Sequence, residues 1–218
     1  MIELKNIKRY YGKNDSLVKA VNDVSLTIND GELLAIVGKS GSGKTTLLNL
    51  MSGLDKPTQG NVLYEDEDIY AMSDNTLSDF RLNNIGFVFQ FFDLIPELNV
   101  IENITLPAKI AKKKVEKSAL DEMLERLEIK EKIHSRPSKL SGGQQQRTAI
   151  ARSLINDPKY IFCDEPTGNL DENTGHEIAG LLIELSKRFK KTVIIVTHDM
   201  ELAKQCDRII NLSDGKIC

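Results

Sequence analysis

The chain has 218 residues, 28% of them charged, with a formal net charge of −3. It is long enough to bury a full core, and it carries no single-sign field of the kind that marks a nucleic-acid binder. Three cysteines, at 163, 206 and 218, have no metal-ligand spacing and an odd count; a reducing compartment fits them better than a disulfide framework. The N-terminal "MIELKNIKRYYG" lacks the apolar core of a signal peptide, and stretches such as "IGFVFQFF" fall well short of the roughly 20 apolar residues that cross a bilayer.

In chain order, "IELKNI" and "VSLTI" alternate apolar and polar residues and predict an antiparallel β layer. "LLAIV" (33–37), "IGFVF" (85–89), "YIFCD" (160–164), "VIIVT" (193–197) and "RIINL" (208–212) predict strands, the continuously apolar ones buried on both faces. Helical periodicity falls at about 44–52, 116–129, 142–155 and 173–189. Strands alternating with helices of this length predict an α/β fold with a mainly parallel sheet. No convincing strand lies between 92 and 140, so that stretch reads as an inserted helical lobe. The expected organisation is one unit, 1–218: an α/β core from 1–91 and 141–218, and a helical subdomain from 92–140. The short basic run Lys112, Lys113 and Lys114, followed by Glu116, Asp121 and Glu122, reads as a solvated helix face rather than a phosphate-binding patch.

"GKSGSGKTT", 38–46, matches G-x-x-x-x-G-K-[ST] at Gly38, Gly43, Lys44 and Thr45, directly after a predicted buried strand and before a helix. In such a loop Gly38, Lys39, Ser40, Gly41, Ser42, Gly43 and Thr46 bring backbone donors round a phosphate chain, helped by the helix N-terminus. Lys44 would hold the β- and γ-phosphates of a nucleotide, and the Thr45 hydroxyl would bind Mg²⁺.

"FCDEPTGNLD", 162–171, ends a buried strand in two adjacent acids. Such a pair resists desolvation and calls for a cation or a proton. With a phosphate loop in the same chain, Asp164 is the candidate Mg²⁺ carboxylate and Glu165 the candidate general base for an attacking water. "LSGGQQQR", 140–147, opens a predicted helix with Ser141, Gly142 and Gly143, a second N-terminus able to cradle an anion. An ordinary Ser N-cap explains the same residues equally well on their own.

Together, "GKSGSGKTT", "LSGGQ" and "FCDEPTGNLD" resemble the ATP-binding-cassette (ABC) family, and the match runs along the whole chain. The resemblance implies the ABC ATPase fold, a P-loop NTPase with an antiparallel β layer and an inserted helical subdomain. It implies ATP and Mg²⁺ as ligands. It also implies a head-to-tail homodimer that sandwiches two ATP, in which Ser141, Gly142, Gly143 and Gln144 of one subunit face the phosphate loop of the other. It gives Tyr11 as the aromatic that stacks on adenine, with Tyr10 as the competing choice. Gln90 resembles the glutamine that touches Mg²⁺ and the attacking water, His198 the switch histidine at the γ-phosphate, and Gly168 to Asp171 the loop that crosses the dimer. Lys39, Thr45 and Cys163 depart from the commoner family residues without removing a needed group.

At finer grain, "PTGNLD", "GGQQQR" and "GFVFQFFDLIPELNVIENITLP" resemble the subgroup that contains MacB-type macrolide exporters, the lipoprotein-release ATPase LolD and Gram-positive peptide-resistance exporters. The resemblance implies an ATPase at the cytoplasmic face of the membrane, bound to an FtsX/MacB-like permease through the Gln90 to Leu106 region, with no nucleic-acid partner. Export of a macrolide or antimicrobial peptide is the expected role; lipoprotein release or a division role is the alternative. A chromosome-structure ATPase would need a long coiled coil between phosphate loop and signature, and a translation factor would need two cassettes; neither is present. A GTPase reading lacks an Asn-Lys-x-Asp motif.

Overall fold

The computed structural model describes residues 1–218, the side chain of Asp15 excepted. The chain runs through β1 (Ile2–Tyr11), β2 (Val18–Ile28), β3 (Leu33–Val37), α1 (Lys44–Met51), β4 (Gln59–Tyr64), β5 (Glu67–Asp68) and α2 (Asp74–Asn84). It continues through β6 (Ile85–Phe89), α3 (Val100–Ile110), α4 (Lys117–Arg126), α5 (Gly142–Leu154), β7 (Tyr160–Asp164), α6 (Glu172–Lys187), β8 (Thr192–Val196), α7 (Met200–Ala203), β9 (Arg208–Ser213) and β10 (Lys216–Ile217).

Six strands in the order β10-β9-β3-β8-β7-β6 form the core sheet, parallel from β9 to β6. β10 closes one edge antiparallel. Side chains alternate strictly between its faces. Leu34 and Ile36, Tyr160 and Phe162, and Ile194 and Val196 join one buried cluster, whereas Leu33, Ile161, Cys163, Val193 and Ile195 join another. Both faces are therefore covered, which is why these strands read as unbroken apolar runs.

The first face is covered by α1, through Leu47, Leu48, Leu50 and Met51, and by a four-stranded antiparallel sheet in the order β2-β1-β4-β5. The second face is covered by helices: Val100 and Ile104 of α3, Leu124 of α4, Ile150 of α5 and Ile178 and Leu182 of α6 share its cluster. Residues 92–140 contain α3, α4 and short 3₁₀ turns at Lys130–Lys132 and Pro137–Lys139, and no strand among the described residues. Asn99 opens α3 with a reciprocal capping box to Glu102.

This topology places the chemistry. Strands β3, β7 and β8 lie side by side and point the same way, with Asp164 beside Val196 in register and Ile36 beside the same residue. The loops that leave their C-terminal ends carry residues 38–43, 165–171 and 197–199 to one edge of the sheet, where open α/β sheets bind ligands.

Candidate active site

Residues 38–43 fold into a loop that calls for glycine at two positions. Gly41 and Gly43 have φ of 78° and 100°, and a Cβ at Gly43 would stand 2.0 Å from the carbonyl oxygen of Ala20. At the head of α1, Lys44 turns back across this loop: its ammonium donates to the carbonyls of Gly38 (2.9 Å) and Lys39 (3.2 Å) and is largely buried. Lys39, Ser40, Gly41 and Thr45 are exposed, Thr46 half-buried and Ser42 buried.

From β7, Asp164 meets Thr45. The Thr45 hydroxyl lies 3.1 Å from each carboxylate oxygen of Asp164. Burial raises the pKa of Asp164 above the ordinary carboxylate range; the Thr45 hydrogen bond opposes this, adjacent Glu165 adds to it, and Lys44 opposes it. Thr45 and Asp164 together supply hard oxygen donors, and a partly desolvated carboxylate beside a second acid is stabilised by a divalent cation. The pair therefore fits Mg²⁺.

The next residue points elsewhere. Glu165 takes a left-handed backbone (φ 46°), unusual for a residue with a Cβ. Its own N–H donates to Val196 O at 2.8 Å, and its carbonyl accepts from Gly168 N–H at 3.0 Å. Its Oε2 lies 2.8 Å from Nδ1 of His198 and accepts the His198 backbone N–H at 3.2 Å.

Gln90, which follows Phe89 in β6 opposite Asp164, is tied to the same turn. Its Nε2 donates to Asn169 Oδ1 (3.3 Å), and Asn169 Nδ2 donates to the Gln90 carbonyl (2.9 Å). Asp171 caps α6, accepting from the Thr174 N–H (3.1 Å) and hydroxyl (2.7 Å), and these bonds hold its carboxyl below the usual range.

The signature residues lie apart from the phosphate loop. Ser141 caps α5 in a reciprocal box with Gln144 (3.3 and 3.1 Å), and a Cβ on Gly142 or Gly143 would meet Phe92, Asn169, Leu170 and Thr174. Among the described residues no hydrogen bond joins 141–144 to 38–46. The two tyrosines also separate. Tyr10 donates to Asn22 (2.8 Å), whereas Tyr11 is 40% exposed, donates to Asp55 (2.6 Å) and has the Arg9 guanidinium 4.5 Å from its ring centroid.

Residues 21–168 match the ABC transporter family. The chain belongs to that family. It is an ATP-binding cassette of the LolD/MacB type. The cassette is 44% identical over 219 residues to the lipoprotein-releasing system ATP-binding protein LolD of Syntrophotalea carbinolica, covering 100% of the cassette and 96% of that protein. It is 43% identical to the macrolide export ATP-binding/permease protein MacB of Bartonella henselae, again over the whole cassette but only 33% of the MacB chain. A solved dimer of the archaeal cassette MJ0796 in a post-hydrolysis state bound to ADP and Pi superposes with a TM-score of 0.90 at 41% identity, covering 100% of the cassette and 96% of that chain. The MJ0796 sequence belongs to Methanocaldococcus jannaschii.

Two residues of α5 to which the sequence gives no individual role hold the cassette's site loops. Gln146, fully buried, donates to Pro166 O (2.6 Å) and Phe89 O (3.4 Å), joining the ends of β6 and β7. Arg152 donates to the carbonyls of Phe92 (2.8 Å) and Asp93, two consecutive left-handed residues. Their signals were a glutamine on the buried face of a helix and an arginine with no acid three or four residues away.

Proposed function

We propose that this ABC ATPase hydrolyses ATP with Glu165 receiving the proton of the attacking water, and that it drives a membrane permease of the FtsX/MacB-like kind. One observation carries the chemistry: Asp164 and Glu165, adjacent in sequence, are delivered to different partners, Asp164 to Thr45 and Glu165 to His198. This division supports a cation-holding role for one acid and a proton-accepting role for the other.

The roles follow from position. Lys44 holds β- and γ-phosphate oxygens in place of the Gly38 and Lys39 carbonyls it now meets. Backbone donors of Gly38 to Gly43 with Thr45 and Thr46 surround the phosphates, and exposed Tyr11 offers its ring to the adenine. Thr45 and Asp164 would hold Mg²⁺, which would supply positive charge against the charge that develops on the phosphates. Glu165 orients the water and takes its proton, with His198 fixing the carboxylate and facing the γ-phosphate. Gln90, whose amide now donates to Asn169 at 3.3 Å, would be a further group for the metal and the water.

The separation of Ser141, Gly142, Gly143 and Gln144 from the phosphate loop within one chain supports a second chain as their partner. In that homodimer each of two ATP molecules meets one phosphate loop and the opposite signature, and Asp171 ends the loop that crosses between them. The helical segment 92–140 forms the subdomain that carries the signature toward its partner. The permease contact lies between Gln90 and Leu106, where Phe91 is 73% exposed, and it holds the ATPase at the cytoplasmic face of the membrane. The exported substrate is of the MacB kind, a macrolide or antimicrobial peptide. Lipoprotein release is the second reading, favoured by the 44% identity to LolD. Purification of the tagged cassette from its native membranes tests both: a permease with a large extracytoplasmic domain supports the proposal, and recovery of the cassette with no membrane partner overturns it.

A further inference from the structure

The connection from α3 to α4 concentrates charge that ATP hydrolysis leaves unused. Lys109, Lys112, Lys113, Lys114 and Lys117 crowd one short stretch in which Glu116 is the only acid, although the chain as a whole is net negative. All five are exposed. Among the described residues one ion pair forms here, Lys114 with Glu116 at 3.7 Å, and a pair so exposed neutralises little. Ile110, beside the lysines, is 61% exposed.

Behind these lysines α4 packs incompletely. Its apolar face carries Leu120, Met123 and Leu124, yet only Leu124 is buried. Leu120 and Met123 instead wall a cleft of about 400 Å³ between α4 and the α5–α6 pair, with Leu154, Leu181 and Phe189 opposite and Lys114 at its mouth. The Lys113 ammonium lies 3.5 Å from the carbonyl of Asn156, between two residues of the cleft wall, Ile155 and Asp157. The lining also holds Glu116 and Glu122, and its other cations are paired, Arg126 with Glu184 and Lys191 with Asp157, so the charge for an anion comes from the lysine run rather than from the cleft wall. The volume lies in the range of ligand pockets, and an apolar cleft beside ammonium groups held only by an exposed glutamate (Lys114) or a backbone carbonyl (Lys113) suits an anionic amphiphile.

We propose that the α3–α4 connection docks on anionic phospholipid at a membrane surface, with one acyl chain entering the cleft and the phosphate head meeting Lys112, Lys113 and Lys114. Each lysine near an anionic surface is worth about fivefold in partitioning, so three together give about a hundredfold, falling with salt. Ile110 adds apolar area at the interface. This surface is separate from the nucleotide residues and from Phe91, so it stands or falls independently of the permease reading.

The test uses the whole cassette with phosphatidylcholine vesicles, with or without about a third phosphatidylglycerol. The protein has no tryptophan, so Phe189→Trp places a single reporter at the cleft. The expected result is salt-sensitive co-sedimentation with the anionic vesicles only, and quenching of that reporter by phosphatidylglycerol carrying a nitroxide on its acyl chain. The triple variant K112Q/K113Q/K114Q should lose both by about a hundredfold while its ATPase rate is unchanged. Equal recruitment of the triple variant, equal recruitment to neutral vesicles, or no recruitment overturns the proposal. Recruitment without quenching overturns the seat for the acyl chain. Quenching by a free nitroxide fatty acid with no vesicle recruitment overturns the membrane surface in favour of a soluble amphiphile.

Discussion

Glu165 and His198 form a pair in which the acid fixes the tautomer of the base: Oε2 lies 2.8 Å from Nδ1. A carboxylate oxygen accepts, so Nδ1 carries the proton of this bond and Nε2 is the ring nitrogen left free of it. The backbone enforces the pairing. Glu165 is held left-handed at φ 46° by bonds to Val196 and Gly168, and the His198 N–H reaches the same carboxylate oxygen.

Glu165→Gln keeps an acceptor for His198 and removes the proposed acceptor of the water's proton. Turnover should fall by about 10²–10⁴, with nucleotide affinity retained and an ATP-bound dimer accumulating. Phosphate release and size-exclusion chromatography with ATP measure the two effects. A variant that hydrolyses rapidly and stays monomeric would sink the assignment of Glu165.

Asp164 sets a pH dependence. Its pKa is raised in the fold, chiefly by burial, so between the ordinary carboxylate value and the raised one the native state holds more protons than the unfolded chain. Stability from this group therefore falls as pH rises through that window. Asp164→Asn should melt at a higher temperature than the unliganded parent near neutral pH, and the gap should close as pH drops below the ordinary carboxylate range. It should also lose most of the thermal stabilisation that the parent gains from Mg²⁺ with ATP. A lower melting temperature for the unliganded variant at neutral pH would contradict the burial of this carboxylate.

Two inactive variants can report on the second chain. Lys44→Ala removes the phosphate contact and Ser141→Arg blocks the signature, so each alone should be inactive. If the signature acts across a symmetric dimer, each mixed dimer keeps one site with both elements intact. Random pairing makes half of the dimers mixed, so the mixture should recover about a quarter of the parent rate. No recovery in a mixture shown to form mixed dimers points to a site within one chain, and recovery of the full rate contradicts either arrangement.

What the sequence made legible follows the range of the interactions involved. Strands β3, β7 and β8 are buried on both faces, so their composition betrays them, and the phosphate loop and the Asp164–Glu165 pair are local motifs. Helix α2 carries no buried residue; only the half-buried Leu77 and Phe80 pack against the core cluster, a short apolar pair, although its Ser73 cap accepts from Thr76 at 3.2 Å. Strand β4 opens with Gln59, Gly60 and Asn61, all exposed, and is recruited by β1 rather than by its own pattern. The bond between Gln90 and Asn169 depends on the register of β6 against β7, which no spacing along the chain encodes. The choice between Tyr10 and Tyr11 likewise depends on distant partners, Asn22 for one and Asp55 for the other.

The turn after Gln90 separates display from support. Phe91 stands exposed at its tip, so Phe91→Ala should change stability by less than about 0.5 kcal/mol and leave basal ATP hydrolysis intact, yet lose the permease on co-purification. Arg152 supports the same turn from α5 by donating to Phe92 and Asp93. Burial lowers its pKa, with Asp93 the opposing influence. Arg152→Ala leaves two carbonyls without their donor and should cost about 1–3 kcal/mol, or roughly 2–4 °C in Tm per kcal/mol for a domain of this size, as well as the permease. Lys at 152 provides a charge but not the planar fork that spans both carbonyls, so it should recover part of the stability and little of the permease binding. Unchanged co-purification of the Phe91→Ala protein would remove this turn from the permease interface while leaving the role of Arg152 in stability to be read from melting alone.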